Sequence, residues 1–399
     1  MHFKRRDFIK ASALASTSIL APNFLNAFTK TRSYRSRSGK ILIVVQLSGG
    51  NDGLNTVVPY QNDIYYRSRP RLGINKQEVL KLNSDQGLNP VMKSLQSLYD
   101  EGLVSIINAV GYPNPDRSHF RSMDIWHTAS DSKEYLQTGW LGRYLDHACH
   151  NCQQPYHALE IDDSLSLAMK GAERNGFAMS KPQQLRRAAN NRFLKAVAQS
   201  THEHEHEQVA YLYKTMIDSQ SSAQYLFEQS KVHQAKENYP NTPFGRDLRQ
   251  IAELITADTD TQVYYVSLTG FDTHANQKNV QARLLQQYAD GIRALVKDLK
   301  RNDLLKDTLI MTFSEFGRRV QQNASNGTDH GTANNLFLIG EQLQKPGFFN
   351  AAPDLSTLDD GDLLYQVDFR NIYATILDKW LDSSAPQILK QQFAPLDLL

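Results

Sequence analysis

The seven residues Ile41-Leu-Ile-Val-Val-Gln-Leu47 run straight into Ser48-Gly-Gly-Asn-Asp-Gly-Leu-Asn55, and this stretch constrains the fold more than any other. A run this uniformly aliphatic, cut off by a glycine-rich polar turn, suits a strand buried on both faces of a parallel sheet rather than an alternating edge strand. In open α/β sheets ligands gather beyond the carboxyl ends of the strands, so Asn51 and Asp52 are placed where a metal ion or an anion would be held. Gly49, Gly50 and Gly53 would serve a plain tight turn equally well.

Four further segments have the same character: Leu103–Ala109, Gln262–Leu268, Thr308–Phe313 and Asn335–Ile339. Helical patterns over Val91–Tyr99 and Val280–Lys300 alternate with them, which predicts an α/β fold with a doubly wound, mainly parallel sheet. Between about 171 and 257 long polar helical runs replace the strand signals, so a helical insertion or cap is expected there. Within it, Thr201-His-Glu-His-Glu-His-Glu207 repeats every second residue, a spacing that scatters three imidazoles around a helix and reads as a solvated run.

Residues 1–27 have the form of an export signal and are set apart from the fold. Lys4-Arg5-Arg6-Asp7-Phe8-Ile9-Lys10 carries paired arginines ahead of a modestly apolar run too short to span a bilayer, the pattern of a twin-arginine leader. Removal of 1–27 takes away Lys4, Arg5, Arg6 and Lys10 against Asp7, so the formal charge falls from +2 to −1. A chain so balanced does not point to nucleic acid. No later apolar run is long enough to cross a membrane, and residues 28–399 are expected to form one exported, periplasmic α/β domain. Cys149 and Cys152 are the two cysteines, and an oxidising compartment permits their pairing. A zinc site from His147, Cys149, His150 and Cys152 would lack the second thiolate pair such sites normally show.

Chemistry-bearing residues cluster after the strands: Asp52; Arg117-Ser-His-Phe-Arg-Ser-Met-Asp124; Gly270-Phe-Asp-Thr-His274; and Ser314-Glu-Phe-Gly-Arg-Arg319. Thr328-Asp-His-Gly331 stands before the fifth strand. Carboxylates and imidazoles suit a hard or borderline divalent cation such as zinc, manganese, magnesium or calcium, and Asp272-x-His274 puts two ligands on one side of an extended segment. Arg318 or Arg319 offers a guanidinium fork to a tetrahedral oxyanion. Taken singly, an Asp at a strand end caps a helix and an adjacent His hydrogen-bonds to it; their recurrence at equivalent places predicts a metal-capable pocket.

Through Ser48–Pro59, Arg117–Phe120, Gly139–Gly142, Phe271–His274, Ser314–Arg318, Asp329–Gly331 and Val367–Leu377 the chain resembles the exported bacterial family of unknown function numbered 1501. That family is placed with the alkaline phosphatase and sulfatase superfamily. The resemblance implies a metal-centred hydrolytic site acting on a small phosphate or sulfate ester. Carried over residue by residue, it makes Asp52, Asp272, His274 and His330 metal ligands and Ser118 the nucleophile; Glu315 and Asp329 are expected as metal ligands with them. Ser122 and Thr128 lie close enough to compete for the nucleophile's role. Where the superfamily commonly has Asp-His after the next strand this chain has Ser314-Glu315, so a single ion is as open as two. The alternative is a metal-stabilised binding or assembly protein of the cell envelope that has lost turnover.

Overall fold

The computed structural model describes residues 39–148, 155–181 and 221–399. The twin-arginine segment, Cys149, Cys152 and the His202–His206 run lie outside the described residues.

In chain order the main elements are β1 (Ile41–Ser48), α1 (Lys93–Asp100), β2 (Val104–Gly111), α2 (His119–Thr128), α3 (Trp140–Ala148), β3 (Ala158–Glu160) and β4 (Phe177–Ala178). There follow α4 (Pro243–Thr256), β5 (Val263–Thr269), α5 (Gln277–Arg301), β6 (Thr308–Phe313), β7 (Asn334–Ile339), β8 (Gly347–Phe348), β9 (Val367–Asp368) and α6 (Phe369–Thr375). The nine strands form one sheet in the order β8-β2-β7-β6-β1-β5-β3-β4, with β9 also beside β2.

β1 is central, and its side chains alternate between two cores. Ile41, Ile43, Val45 and Leu47 pack with Leu95 of α1, Leu248 and Ile251 of α4, and Leu285 and Ile292 of α5. Leu42 and Val44 join Trp126 of α2, Trp140 of α3 and Phe369 and Tyr373 of α6 on the other face. Helices therefore cover both faces, which is why the β1 sequence is apolar throughout instead of alternating. Each of these aliphatic side chains contributes about 1.5–3 kcal/mol relative to exposure.

Within 171–257, Phe177–Ala178 extends the sheet beside β3. Helix α4 starts at Thr242, whose hydroxyl accepts from the Gly245 amide at 3.1 Å, with Pro243 in the first turn. Its apolar stripe packs into the core against α5.

β7 departs from the parallel pattern. It runs antiparallel to both its neighbours, β2 and β6, whereas β1 is parallel to β5 and β6. The loop before β7 therefore opens on the same sheet edge as the loops that follow β1, β2, β5 and β6. Thr328–Gly331 precedes its strand, and this reversal is what brings it to the other clusters.

Candidate metal centre

The edge is closed by tight backbone contacts. Gly49 (φ +117) and Gly50 (φ +73) turn the chain after β1 in the left-handed region. A Cβ on Gly49 would lie 2.4 Å from the Asp272 amide nitrogen, and one on Gly50 would lie 2.2 Å from the Phe316 ring. Arg318, its side chain fully buried, donates to the carbonyls of Gly50 (2.6 Å), Gly49 (2.5 Å), Phe271 (3.0 Å) and Thr328 (2.8 Å), and to Asp272 Oδ1 (2.8 Å). One guanidinium thus binds three of the loops together.

Asp272 is the hub. Its Oδ1 lies 3.5 Å from His119 Nε2, 3.0 Å from His274 Nε2 and 3.2 Å from His330 Nε2. The two nitrogens His274 Nε2 and His330 Nε2 are 2.9 Å apart. Atoms offered by His119, Asp272 and His330 all fall within 4.8 Å of one another. A tetrahedral ion with bonds of about 2.0–2.1 Å holds its donors about 3.3 Å apart, a spacing near the 3.0–3.5 Å separations around Asp272 Oδ1.

The far side of each ring is anchored. His119 Nδ1 is 2.9 Å from Glu315 Oε1, His330 Nδ1 is 2.8 Å from the Arg117 carbonyl, and His274 Nδ1 is 3.3 Å from Asp329 Oδ1. Carbonyl and carboxylate oxygens only accept, so each ring donates through Nδ1 and turns Nε2 towards Asp272. A partner on the second nitrogen is the arrangement that orients metal-ligating histidines. His119 Nε2 is buried and has no hydrogen-bond partner within the described residues, a cost an incoming cation would remove.

Electrostatics follow the same geometry. Burial pushes the Asp272 carboxyl up, but the hydrogen bond and charge of the Arg318 guanidinium lead the opposing interactions that hold the group down at about 2. The hydrogen bond to Glu315 raises His119, against burial, while burial lowers His330 and favours its neutral ring. Neutral imidazole and ionised carboxylate are the forms that bind a cation.

The structure distributes the expected ligands between this centre and its supports. Asp272, His274 and His330 converge. Glu315 is buried and is held by the Gly49 amide (2.8 Å), so it faces His119. Asp329 braces His274 and accepts from Asn323 Nδ2 at 3.1 Å. Asp52 does not join the cluster: its Oδ2 is taken by Arg69 (2.5 Å) and Gln277 (2.5 Å), and all of its side chain is buried. Arg318, expected as an anion clamp, spends its donors on loop carbonyls and Asp272, while Arg319 bonds Asp360. Ser118 sits exposed at the N-cap of α2 with no side-chain capping bond. Ser122 Oγ donates to the Asp116 carbonyl (2.6 Å) and Thr128 Oγ1 to that of Asp124 (2.6 Å), so both hydroxyls are committed.

Sequence reasoning passed over His119, although it stands inside the Arg117-Ser-His-Phe120 motif. Its signal was an imidazole one residue past the end of a strand-to-helix loop, level with the other clusters.

The chain belongs to the family described as protein of unknown function (DUF1501), whose pattern matches residues 107–382, more than half of the chain and all four converging residues. No curated protein matches it. Among solved structures it is similar to the PsFucS1 sulfatase from Pseudoalteromonas sp., at 12% identity and a TM-score of 0.40 over 95% of this chain and 75% of that one. It is also similar to the C-terminal periplasmic domain of EcEptC from Escherichia coli in complex with Zn, at 11% identity and 0.38 over 78% and 75%. A protein in the alkaline phosphatase superfamily from Vibrio parahaemolyticus gives 11% and 0.33 over 88% and 72%. Likenesses this distant concern the overall path of the chain, and the site chemistry is read from its own residues.

Proposed function

We propose that this protein is an exported metal-dependent hydrolase of a small phosphate or sulfate ester, with one divalent ion held by His119, Asp272 and His330 and bordered by His274. The observation that carries the reading is the convergence of three Nδ1-anchored imidazoles on one carboxylate oxygen. Imidazole-rich sets favour zinc over magnesium or calcium, which prefer oxygen donors, with manganese between them. When bound, such an ion supplies a Lewis-acid charge beside the anionic ester.

The remaining roles belong to the chain. Glu315 and Asp329 hold two of the rings by their Nδ1 atoms, and Arg318 fixes Asp272 and three loops in one geometry. Ser118 is the proposed nucleophile: its hydroxyl is uncommitted and it opens α2, where free backbone amides favour an anion. The paired arginines in residues 1–27 support export by the twin-arginine route. Among the described residues no helix is long and apolar enough to cross a membrane.

A second reading, a metal-stabilised binding or assembly protein, is favoured by one fact. Within the described residues no general base lies in hydrogen-bond contact with the Ser118 hydroxyl. Metal analysis of protein purified without chelator, then a panel of phosphate and sulfate esters, separates the two. Turnover that falls by about a thousandfold in Ser118→Ala, with metal retained, supports the serine hydrolase; a smaller loss assigns the attack to water. Metal-loaded protein inert across the panel supports the binding protein, and absence of any bound ion ends both readings.

A further inference from the structure

A cavity of about 110 Å3 lies next to the centre, walled by Tyr112, Phe316, Leu363, Leu364 and Tyr365. Phe316 is a shared partition. Its ring centroid is 4.8 Å from that of His119 and 4.7 Å from that of His330. Two other linings, Asp116 and Thr332, adjoin the segments that hold His330: Asp116 precedes Arg117, whose carbonyl anchors that ring, and Thr332 follows it by two residues.

The cavity is built into the sheet edge. Gln366 donates its amide to the Ala109 carbonyl at 2.7 Å, and β9 pairs with Val110 and Gly111, which fixes Tyr365 beside the end of β2. Gly111 leaves room for it, since a Cβ there would stand 2.8 Å from Tyr365 Cβ. Tyr365 and Leu364 remain 39% and 47% exposed, so one wall faces solvent.

Its polarity is mixed in a particular way. Aromatic and aliphatic side chains form the walls, whereas Asn114, Asp116 and Asp359 add polar groups to the lining. The side chains of Asn114 and Asp359 make no hydrogen bond within the described residues, and Asp116 commits one oxygen to the Ser118 amide. Asn114 and Asp359 are exposed at the rim, within reach of an occupant's hydroxyls but with nothing to offer a purely aryl one, and a second anion would meet two carboxylates. A sugar ring satisfies both parts, with C–H faces for the aromatic walls and hydroxyls for the carboxylates and amide. The volume is on the scale of the roughly 150 Å3 cavity that accepts one benzene, which is space for a single ring.

We propose that this cavity is the subsite for a sugar ring bearing the anionic ester presented to the Asp272 centre. The proposal rests on the ester-binding reading of that centre. Titration calorimetry on the zinc-loaded full chain tests it with inorganic phosphate, glucose 6-phosphate and phenyl phosphate. Glucose 6-phosphate is expected to bind about tenfold tighter than inorganic phosphate, and Tyr365→Ala to remove most of that preference without changing the affinity for inorganic phosphate. Equal affinity for phosphate and glucose 6-phosphate overturns the subsite, and tighter binding of phenyl phosphate than of the sugar phosphate overturns the sugar assignment. If inorganic phosphate itself does not bind, the ester-binding reading fails. Saturation-transfer NMR with neutral methyl glucoside then judges the cavity alone, where contact abolished by Tyr365→Ala sustains it and absence of contact overturns it.

Discussion

Asp52 and Asp272 follow β1 and β5, two strands paired in parallel, and they end in opposite situations. The Asp52 side chain is fully buried, its Oδ2 held by Arg69 and Gln277 while its Oδ1 has no hydrogen-bond partner among the described residues. Arg69 bonds its Oδ2 and also reaches Asn55 Oδ1 and the carbonyls of Arg319 and Val320. Gln277, bonded to the same Oδ2, accepts in turn from Thr328 Oγ1. That network staples the loop after β1 to the loops around 69 and 319–328. The Asp272 side chain is 49% exposed and directs one oxygen at three imidazole nitrogens. A carboxylate out of water needs a fixed counter-charge, and one at the surface can wait for a ligand. Histidines on α2 repeat the contrast. His119 at its start has a free Nε2, while His127 in its last turn is buried with Nε2 3.1 Å from the Tyr265 hydroxyl. Because that hydroxyl donates to Gln46 Oε1 at 2.6 Å, it accepts from His127.

If Asp52 is a staple, its loss damages the fold and not the centre. Asp52→Ala leaves the Arg69 charge buried without its partner and should cost about 3–5 kcal/mol in denaturant unfolding, with unchanged metal stoichiometry in the folded fraction. Loss of metal at full stability would reverse the assignment of the two acids.

The buried histidine makes a prediction in pH. Burial holds His127 down at about 4 against an ordinary 6.5. As pH falls below 6.5 the unfolded chain takes up a proton that the folded one refuses until about 4, so stability is full above 6.5 and declines across that window, by about 3 kcal/mol. In His127→Gln the acid limb of the unfolding profile should flatten; an unaltered limb would mean that the ring is charged in the fold.

At the exposed acid the effect should move to metal. Asp272→Ala is expected to lower zinc affinity by about a hundredfold in a competition titration, while the metal-free protein loses less stability than Asp52→Ala does, because the buried Arg318 keeps its four carbonyl acceptors. Zinc affinity equal to that of the parent would remove the centre.

Glu315 lies between the two cases, buried like Asp52 but facing His119. Glu315→Gln should weaken zinc binding by about tenfold, the low end for a residue that orients a ligand, without abolishing it. Complete loss would promote Glu315 from support to ligand.

Much of this was written in local patterns. The aliphatic runs located β1, β2, β5, β6 and β7 to within two residues, because a strand buried on both faces has little freedom in its residue types. Asp272, His274 and His330, singled out from Asp-x-His and Asp-His at strand boundaries, do lie together in the fold. His119 carries no Asp-x-His or Asp-His pattern, and only its contacts with Glu315 and Asp272, far along the chain, bring it to the centre. Asp52 was grouped with Asp272, His274 and His330 because nothing local shows that its Oδ2 will meet Arg69 and Gln277 in the fold.

The amino-acid sequence by itself determined which segments are strands, that the sheet is covered on both faces, and that acids and imidazoles collect at its edge. Periodicity and side-chain type decide those things over a few residues. Tertiary structure alone decided the direction of β7, the partnership of Asp52 with Arg69 and Gln277, and the turning of three Nε2 atoms towards Asp272. Each depends on contacts between residues far apart in the chain, such as His119 with Glu315, and those separations exist only after the sheet has closed.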